Sequence, residues 1–277
     1  MIIKSLEHTS TTDILNTFNL SFSDYFIAFA LSLEQLEQKL KSEDIDLSIS
    51  VGAFHENQLV GFILHGKRKL NNISTFYNAG TGVIPCERGQ NLTQRMYQFC
   101  IPTLIAKNLK QGFLEVISNN DAAISIYKKV GFKTTRSLPC YKGIPQIKPA
   151  NIAVGIRALD TVDWNLFKSF WDWNPTWQNQ PETLNSISET LKTLAAYYND
   201  MLIGYMIYNP KTNKIHQFAI NNTHRHLGIA THIFDYVSKG KSVTLINIDQ
   251  NDVATNSFLN TLKLEQFLTQ YEMTILL

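Results

Sequence analysis

FAINNTHRHLGIATHIF, Phe218–Phe234, followed by LINIDQNDVATNSFLNTLKL, Leu245–Leu264, decides the fold of this chain, because an earlier stretch repeats its order. There, GVIPCERGQNLTQRM, Gly82–Met96, is followed by LEVISNNDAAISIYKKVGF, Leu114–Phe132. Each copy reads as an apolar strand, a polar turn centred on an arginine, a helix, a second strand and an Asn-x-x-Ala helix. Arg88 and Arg225 stand 137 positions apart, which makes the repeat unit a domain and not a solenoid module.

A hairpin precedes each copy. Leu47–Phe54 and Gln58–His65 read as antiparallel strands joined by the polar turn His55–Asn57, and Thr193–Pro210 repeats the pattern around Asn199 and Asp200. Upstream of the hairpins, Thr11–Phe18 and Leu33–Lys41 in the first copy, and Val162–Phe170 and Leu184–Lys192 in the second, have helical character. Leu33, Leu36 and Leu40 share one face and read as core packing. Cys140–Ile156, with Pro145 and Pro149, reads as a linker, because proline interrupts regular hydrogen bonding. The predicted boundary is near residue 148, giving domains 1–147 and 148–277.

Composition narrows the partners. With 277 residues, 44% hydrophobic and 17% charged, the chain has the make-up of a folded globule large enough for two cores. A net charge of +2 from 25 basic and 23 acidic residues gives no footprint for nucleic acid, and Lys67, Arg68 and Lys69 read as a solvated turn. The start MIIKSLEHTS lacks a signal-peptide pattern, and no stretch reaches the roughly 20 apolar residues of a membrane span. Cys86, Cys100 and Cys140 are odd in number and have no metal-ligand spacing. The expectation is a cytoplasmic protein with reduced thiols, no metal, no membrane and no nucleic-acid partner.

The arginine turns carry the chemistry. A strand that gives way to a helix through such a turn aims unpaired backbone N–H groups at a pyrophosphate, and the helix end adds favourable field. The spacing is shorter than a Walker loop and lacks its Lys-Ser/Thr ending, and it is not the three-glycine dinucleotide fingerprint. Arg225-x-x-Gly228-x-Ala230 with Asn251-x-x-Ala254 resembles the acyl-CoA motif of the GCN5-related N-acetyltransferase (GNAT) superfamily. Arg88 to Thr93 with Asn120-x-x-Ala123-x-x-x-Tyr127-x-x-x-Gly131-Phe132 resembles the same pattern, so the resemblance covers nearly the whole chain as two tandem domains.

The resemblance implies an α/β fold (an α+β mixed sheet) made of two tandem acyl-CoA N-acyltransferase-like domains. Each would be a mixed sheet flanked by helices and splayed between its fourth and fifth strands, with acetyl-CoA as the cofactor. By the same carry-over, strand contacts to pantetheine come from Gly82, Val83 and Ile84, and from Phe218, Ala219 and Ile220. Phosphate contacts come from Arg88, Gly89, Gln90, Asn91, Leu92 and Thr93, and from Arg225, His226, Leu227, Gly228, Ile229 and Ala230. Asn120 and Asn251 open the following helices. The implied activity is N-acetyl transfer to a small-molecule or peptide amine by direct attack, without an acyl-enzyme.

Family usage places Tyr127 as the acid that protonates the departing thiolate, with the aligned Phe258 unable to do so. Glu115 is the candidate base in the first domain and His216 its counterpart in the second. His224 and His226 flank Arg225, where they read either as surface residues or as phosphate contacts. Trp171, Trp173 and Trp177 read either as packing or as the wall of an acceptor pocket. Neither copy is complete: Asn91 and Thr93 replace small residues in the first, and Leu262-Lys263-Leu264 replaces the Gly-Phe exit in the second. The alternative reading is a non-catalytic acyl-CoA-binding or regulatory protein. Which domain works, the acceptor and the oligomeric state stay open at this stage.

Overall fold

The computed structural model describes residues 1–24, 30–147 and 154–277. The boundary predicted near residue 148 lies outside them.

Local chemistry sets the elements of the first half. After β1 (Ile2–Ser5), α1 (Thr11–Ser21) starts at Ser10, whose side chain accepts from the Asp13 N–H, and α2 (Leu33–Ser42) opens on a capping box of Ser32 and Gln35. β2 (Val51–His55) and β3 (Gln58–Leu70) are joined through Glu56 and Asn57, both left-handed at φ 48° and 69°. Two consecutive left-handed residues make the hairpin turn that matches strand twist. β4 (Ile73–Val83), α3 (Leu92–Ala106), β5 (Gln111–Ile117), α4 (Asp121–Val130) and β6 (Lys133–Gly143) follow.

The second half repeats this order with shorter helices. It runs β7 (Gly155–Leu159), α5 (Trp164–Lys168), α6 (Pro181–Ser186), β8 (Lys192–Tyr198), β9 (Met201–Asn209) and β10 (Lys214–Ile220). Then come α7 (Ile229–Ser238), β11 (Val243–Leu245), α8 (Val253–Thr261) and β12 (Glu265–Leu276). The hairpin turn at Asn199 and Asp200 is again left-handed at both residues, φ 48° and 59°. The helix predicted over Val162–Phe170 is only α5, started by the Asp163 cap. Of the one predicted over Leu184–Lys192, only Leu184–Ser186 is α-helical, as the end of α6, followed by a 3-10 turn at Ser188–Thr190. Proline at its first position starts α6 earlier, Ile187 leaves helical geometry at φ −118°, and Lys192 already belongs to β8.

The chain divides into two units, Met1–Thr135 with Tyr271–Leu277, and Arg136–Gln270. In the first the strands lie in the order β1-β2-β3-β4-β5-β12, antiparallel as far as β4 and parallel between β4 and β5. In the second the order is β6-β11-β10-β9-β8-β7, with β10 and β11 parallel. Met273 and Ile275 are buried in the first unit's core, and Tyr141 in the second's. This division differs from the two continuous domains read from sequence. Residues 136–147 belong with the second unit and 271–277 with the first, because apolar alternation marks a strand without naming the sheet that receives it.

Each parallel pairing is brief. β4 and β5 are matched only from Thr75–Gln111 to Tyr77–Phe113, although β4 continues to Val83. β10 and β11 are matched at Lys214–Thr244 and Ile215–Leu245, although β10 continues to Ile220. Just beyond the last pair each inner strand carries an extra residue, Ala79 opposite the Leu64–His65 step and His216 opposite the Ile207–Tyr208 step. Such a bulge adds local twist and bend, and it sits where the strands part.

His65 anchors the first core and makes it acid-sensitive. Its ring lies 5.2 Å from Phe76 and 5.9 Å from Tyr97, Nδ1 donates to Ile49 O at 2.9 Å, and Nε2 is buried with no hydrogen-bond partner among the described residues. Burial lowers its pKa from 6.5 to about 4. Between those values the unfolded chain binds a proton that the folded chain refuses, so stability falls as pH drops through this window. His65→Gln is predicted to flatten the decline between pH 6.5 and 4 by up to about 1.4 kcal/mol per pH unit. Urea midpoints measured across that range check it, and an unchanged slope would refute the assignment.

Candidate functional site

The two arginine turns share one backbone with different residues. In the first, Gly89 and Asn91 are left-handed at φ 81° and 56°; in the second, His226 and Gly228 are, at 63° and 84°. Glycine and a non-glycine residue have exchanged places. Asparagine tolerates this region better than most residues, whereas His226 occupies it without glycine's freedom. α3 and α7 begin directly after Asn91 and Gly228, with no side-chain cap and no acidic residue in the first turn. The N–H groups of Leu92, Thr93 and Gln94, and of Ile229, Ala230 and Thr231, precede the first intrahelical bonds, which are made by Arg95 and His232. Such an end favours an anion.

The arginine side chains do something else. Arg88 Nε donates to Val83 O at 3.1 Å, Nη2 to Ser21 O at 2.9 Å, and the guanidinium grips Asp24 through two bonds of 2.7 and 2.8 Å. Arg225 repeats this with Ile220 O at 3.1 Å, Phe170 O at 3.2 Å and Asp172 at 2.6 Å. Hydrogen bonding to Arg88 holds the Asp24 carboxyl below the ordinary carboxylate range. Each arginine therefore ties the exit of the inner strand to the chain at or just beyond the end of the first helix of its unit, α1 or α5. Both guanidinium groups expected to meet phosphate are engaged in these tethers, and the backbone N–H groups that follow them lie at uncapped helix starts.

Alternation decides which strand groups face the gap. Ile84 N–H donates to Val60 O and Asn221 N–H to Ile203 O, which turns the groups of Val83 and Ile220 to the opposite edge. Of the strand residues expected to meet pantetheine, Val83, Phe218 and Ile220 present N–H groups there. Gly82, Ile84 and Ala219 direct theirs at the neighbouring antiparallel strand.

In the first unit, Tyr127 lies in α4 with its ring 6.2 Å from Tyr97 and 5.9 Å from Phe132, and is 8% exposed. Glu115 accepts a hydrogen bond from the buried Tyr77 hydroxyl. Burial, reinforced by the Glu115 charge, raises the Tyr77 pKa, so the phenol keeps its proton. Asn120 caps α4 by accepting from the Ala123 N–H. The corresponding helix in the second unit is capped by Asp252, not by Asn251. Counting from the caps puts Leu259, not Phe258, at the place of Tyr127, and Lys263, left-handed at φ 58°, at the place of Gly131.

The second unit holds a cavity of about 350 Å³ at the gap between β10 and β11. Phe218, Ala219, Ile220, Arg225, His226, Gly228, Ile229 and Ala230 line it, while Leu227 and Asn251 do not. Residues that sequence left ambiguous or passed over complete it: Trp171, Trp173, Tyr205, Gln217, His216 and Phe258. Trp171 Nε1 donates to the Tyr205 hydroxyl at 2.5 Å and Trp173 Nε1 to Asp252 at 2.9 Å, whereas Trp177 is buried in the core. Burial raises the pKa of Tyr205 and lowers that of His216 to about 3, with Lys214 adding to the latter, so both are neutral near pH 7. His224 bonds locally to Thr223 at 2.9 Å on the cavity wall. Among the described residues no cluster of His, Cys, Asp or Glu is placed to hold a metal, and no helix is long and apolar enough to cross a membrane.

Comparison with known proteins agrees with this architecture. Residues 14–132 match the acetyltransferase (GNAT) family. No curated protein sequence matches the chain. Among solved structures, a tandem GNAT protein from the clavulanic acid biosynthesis pathway is similar at TM-score 0.71 and 9% identity, over 99% of this chain and 98% of that one. A GCN5-related N-acetyltransferase from Sphaerobacter thermophilus gives 0.67 and 13%, over 99% and 95%. Another from Anabaena variabilis ATCC 29413 gives 0.61 and 17%, over 99% and 72%. The family match covers residues 14–132, and the likeness to these solved structures shows that the chain carries their mixed α/β fold.

The tether makes a prediction of its own. Arg225→Leu leaves two backbone carbonyls and Asp172 without their donor, at a cost of about 1–3 kcal/mol. Urea denaturation checks this; unchanged stability together with lost phosphate binding would restore the phosphate role and refute the tether.

Proposed function

We propose that this protein is an acetyl-CoA-dependent N-acetyltransferase of the tandem type, acting on a small-molecule or peptide amine, with the acetyl-CoA in the cleft of the second unit. One observation carries the reading. Among the described residues, a strand edge that has left its parallel neighbour, an uncapped helix start and a cavity of about 350 Å³ converge in one place. The edge groups of Phe218 and Ile220 suit the pantetheine amides, the start of α7 suits the pyrophosphate, and the cavity suits the acetyl group and its acceptor. The amine nitrogen would attack the thioester carbon directly, and CoA would leave as the thiol.

Tyr127 and Glu115 are the proposed acid and base should the first cleft be the loaded one. Leu259 at the position of Tyr127 favours a second reading, in which the second cleft binds acyl-CoA without turning it over.

A matched pair of variants tests the location. Ala230→Glu and Thr93→Glu each place a carboxylate in the first turn of α7 or α3, a position that a helix tolerates well but a phosphate does not. Ala230→Glu is predicted to weaken acetyl-CoA binding by at least about tenfold, roughly 1.4 kcal/mol, and Thr93→Glu to leave it unchanged, as read by calorimetric titration. The reverse pattern moves the site to the first unit. No binding in the wild type ends the acyl-CoA reading, and binding without thiol release across an amine panel favours the non-catalytic one.

A further inference from the structure

Resting on the acyl-CoA reading of the second cleft, we propose that His216 relays the acceptor's proton to the departing sulfur, that Asn179 sets its tautomer, and that the acceptor is a monoamine with an apolar body.

The bulge puts His216 on the cavity wall beside the opening between β10 and β11. Its Nδ1 lies 3.2 Å from Asn179 Oδ1. Asn179 is 2% exposed and its amide has one workable orientation, because Nδ2 donates to Ile246 O at 3.3 Å. Its backbone O accepts from Gln217 Nε2, Gln217 Oε1 accepts from the Tyr205 hydroxyl at 2.9 Å, and that hydroxyl accepts from Trp171 Nε1 at 2.5 Å. The chain of bonds runs from the cavity wall to the histidine with every donor and acceptor assigned. An amide oxygen can only accept, so Nδ1 carries the proton and Nε2 presents a lone pair. Among the described residues Nε2 has no hydrogen-bond partner.

A weakly basic imidazole suits a relay better than a store. With its pKa near 3, His216 is neutral wherever an amine can react, and a proton placed on it leaves readily. The amine nitrogen forms the C–N bond to the thioester carbon and the C–S bond breaks, with its electron pair going to sulfur. The N–H proton passes to Nε2 and on to the thiolate, leaving amide, CoA thiol and neutral imidazole. This supplies the proton that Leu259 cannot.

Charge and rings define the acceptor. Trp171, Trp173, Tyr205 and Phe170 line the cavity, and its Asp172 and Arg225 are paired with each other at 2.6 Å. A second ammonium or a carboxylate on the acceptor would find no unpaired countercharge among the described residues that line it. Among the described residues, the charged and titratable groups around His216 are Lys214 on its own strand, Tyr205 on β9, Asp172 after α5, and His224, Arg225 and His226 in the turn after β10. Burial is the larger cause of its low pKa, and the positive charge of Lys214 adds to it.

The test uses the full chain with acetyl-CoA and phenethylamine, spermidine or phenylalanine as acceptor, following thiol release. Phenethylamine is expected to exceed the other two in kcat/KM by about tenfold or more. His216→Gln should lower kcat by about 100-fold with acetyl-CoA affinity retained. Asn179→Asp should raise the basicity of His216 and introduce an acid limb between pH 5 and 7 in kcat at saturating amine, where the wild type is flat. Unchanged kcat in folded His216→Gln, or no new limb in folded Asn179→Asp, overturns the relay, and preference for spermidine or phenylalanine overturns the acceptor class. Turnover with either result leaves the acyl-CoA reading standing, whereas failure of the wild type to bind acetyl-CoA removes both.

Discussion

Pairing between β10 and β11 stops after Ile215 and Leu245, and the cavity of the second unit depends on the gap that this leaves. A strand that runs on for five residues without its parallel neighbour exposes N–H and C=O groups that must find other partners. Arg225 takes one carbonyl, at Ile220, and the remaining groups face the cavity. The bulge at His216 helps to turn the strand away from β11, so the same irregularity opens the cleft and delivers a side chain to its wall.

The arginine tethers explain how a turn rich in left-handed residues holds its shape. A planar guanidinium reaches two carbonyls and a carboxylate in one fork, which a lysine could not. By occupying the strand exit and the end of a helical segment together, Arg88 and Arg225 leave the first turns of α3 and α7 uncapped and oriented outward. The positive end of each helix is thus kept available by a charged side chain that is itself neutralised, by Asp24 or by Asp172.

The two units have drifted apart at the level of side chains while keeping one backbone plan. Bulges at Ala79 and His216 and tethers at Arg88 and Arg225 keep the same spacing, yet Tyr127, in an aromatic cluster of the first unit, has the aliphatic Leu259 as its counterpart in the second. Glycine moved from the second turn position to the fourth between copies, and in each case asparagine or histidine accepts the vacated left-handed conformation. A comparison by residue identity therefore scores these turns as eroded when their geometry is intact.

Much of this was legible along the chain. The repeat, the hairpin turns within His55–Asn57 and at Asn199–Asp200, the start of α4 at Asn120 and the strand-to-helix turns follow from local chemistry, since each depends on residues within a few positions of one another. The tethers were not legible, because Arg88 meets Asp24 and Ser21, and Arg225 meets Phe170, across more than fifty positions. Nor was the role of Asn179, which carries no motif and reaches His216 only through folding. The sheet that receives Arg136–Gly143 or Tyr271–Leu277 is a question of long-range strand pairing. Apolar alternation is the same for every sheet that could accept them, and only the packed cores, with Tyr141 in one and Met273 and Ile275 in the other, decide it.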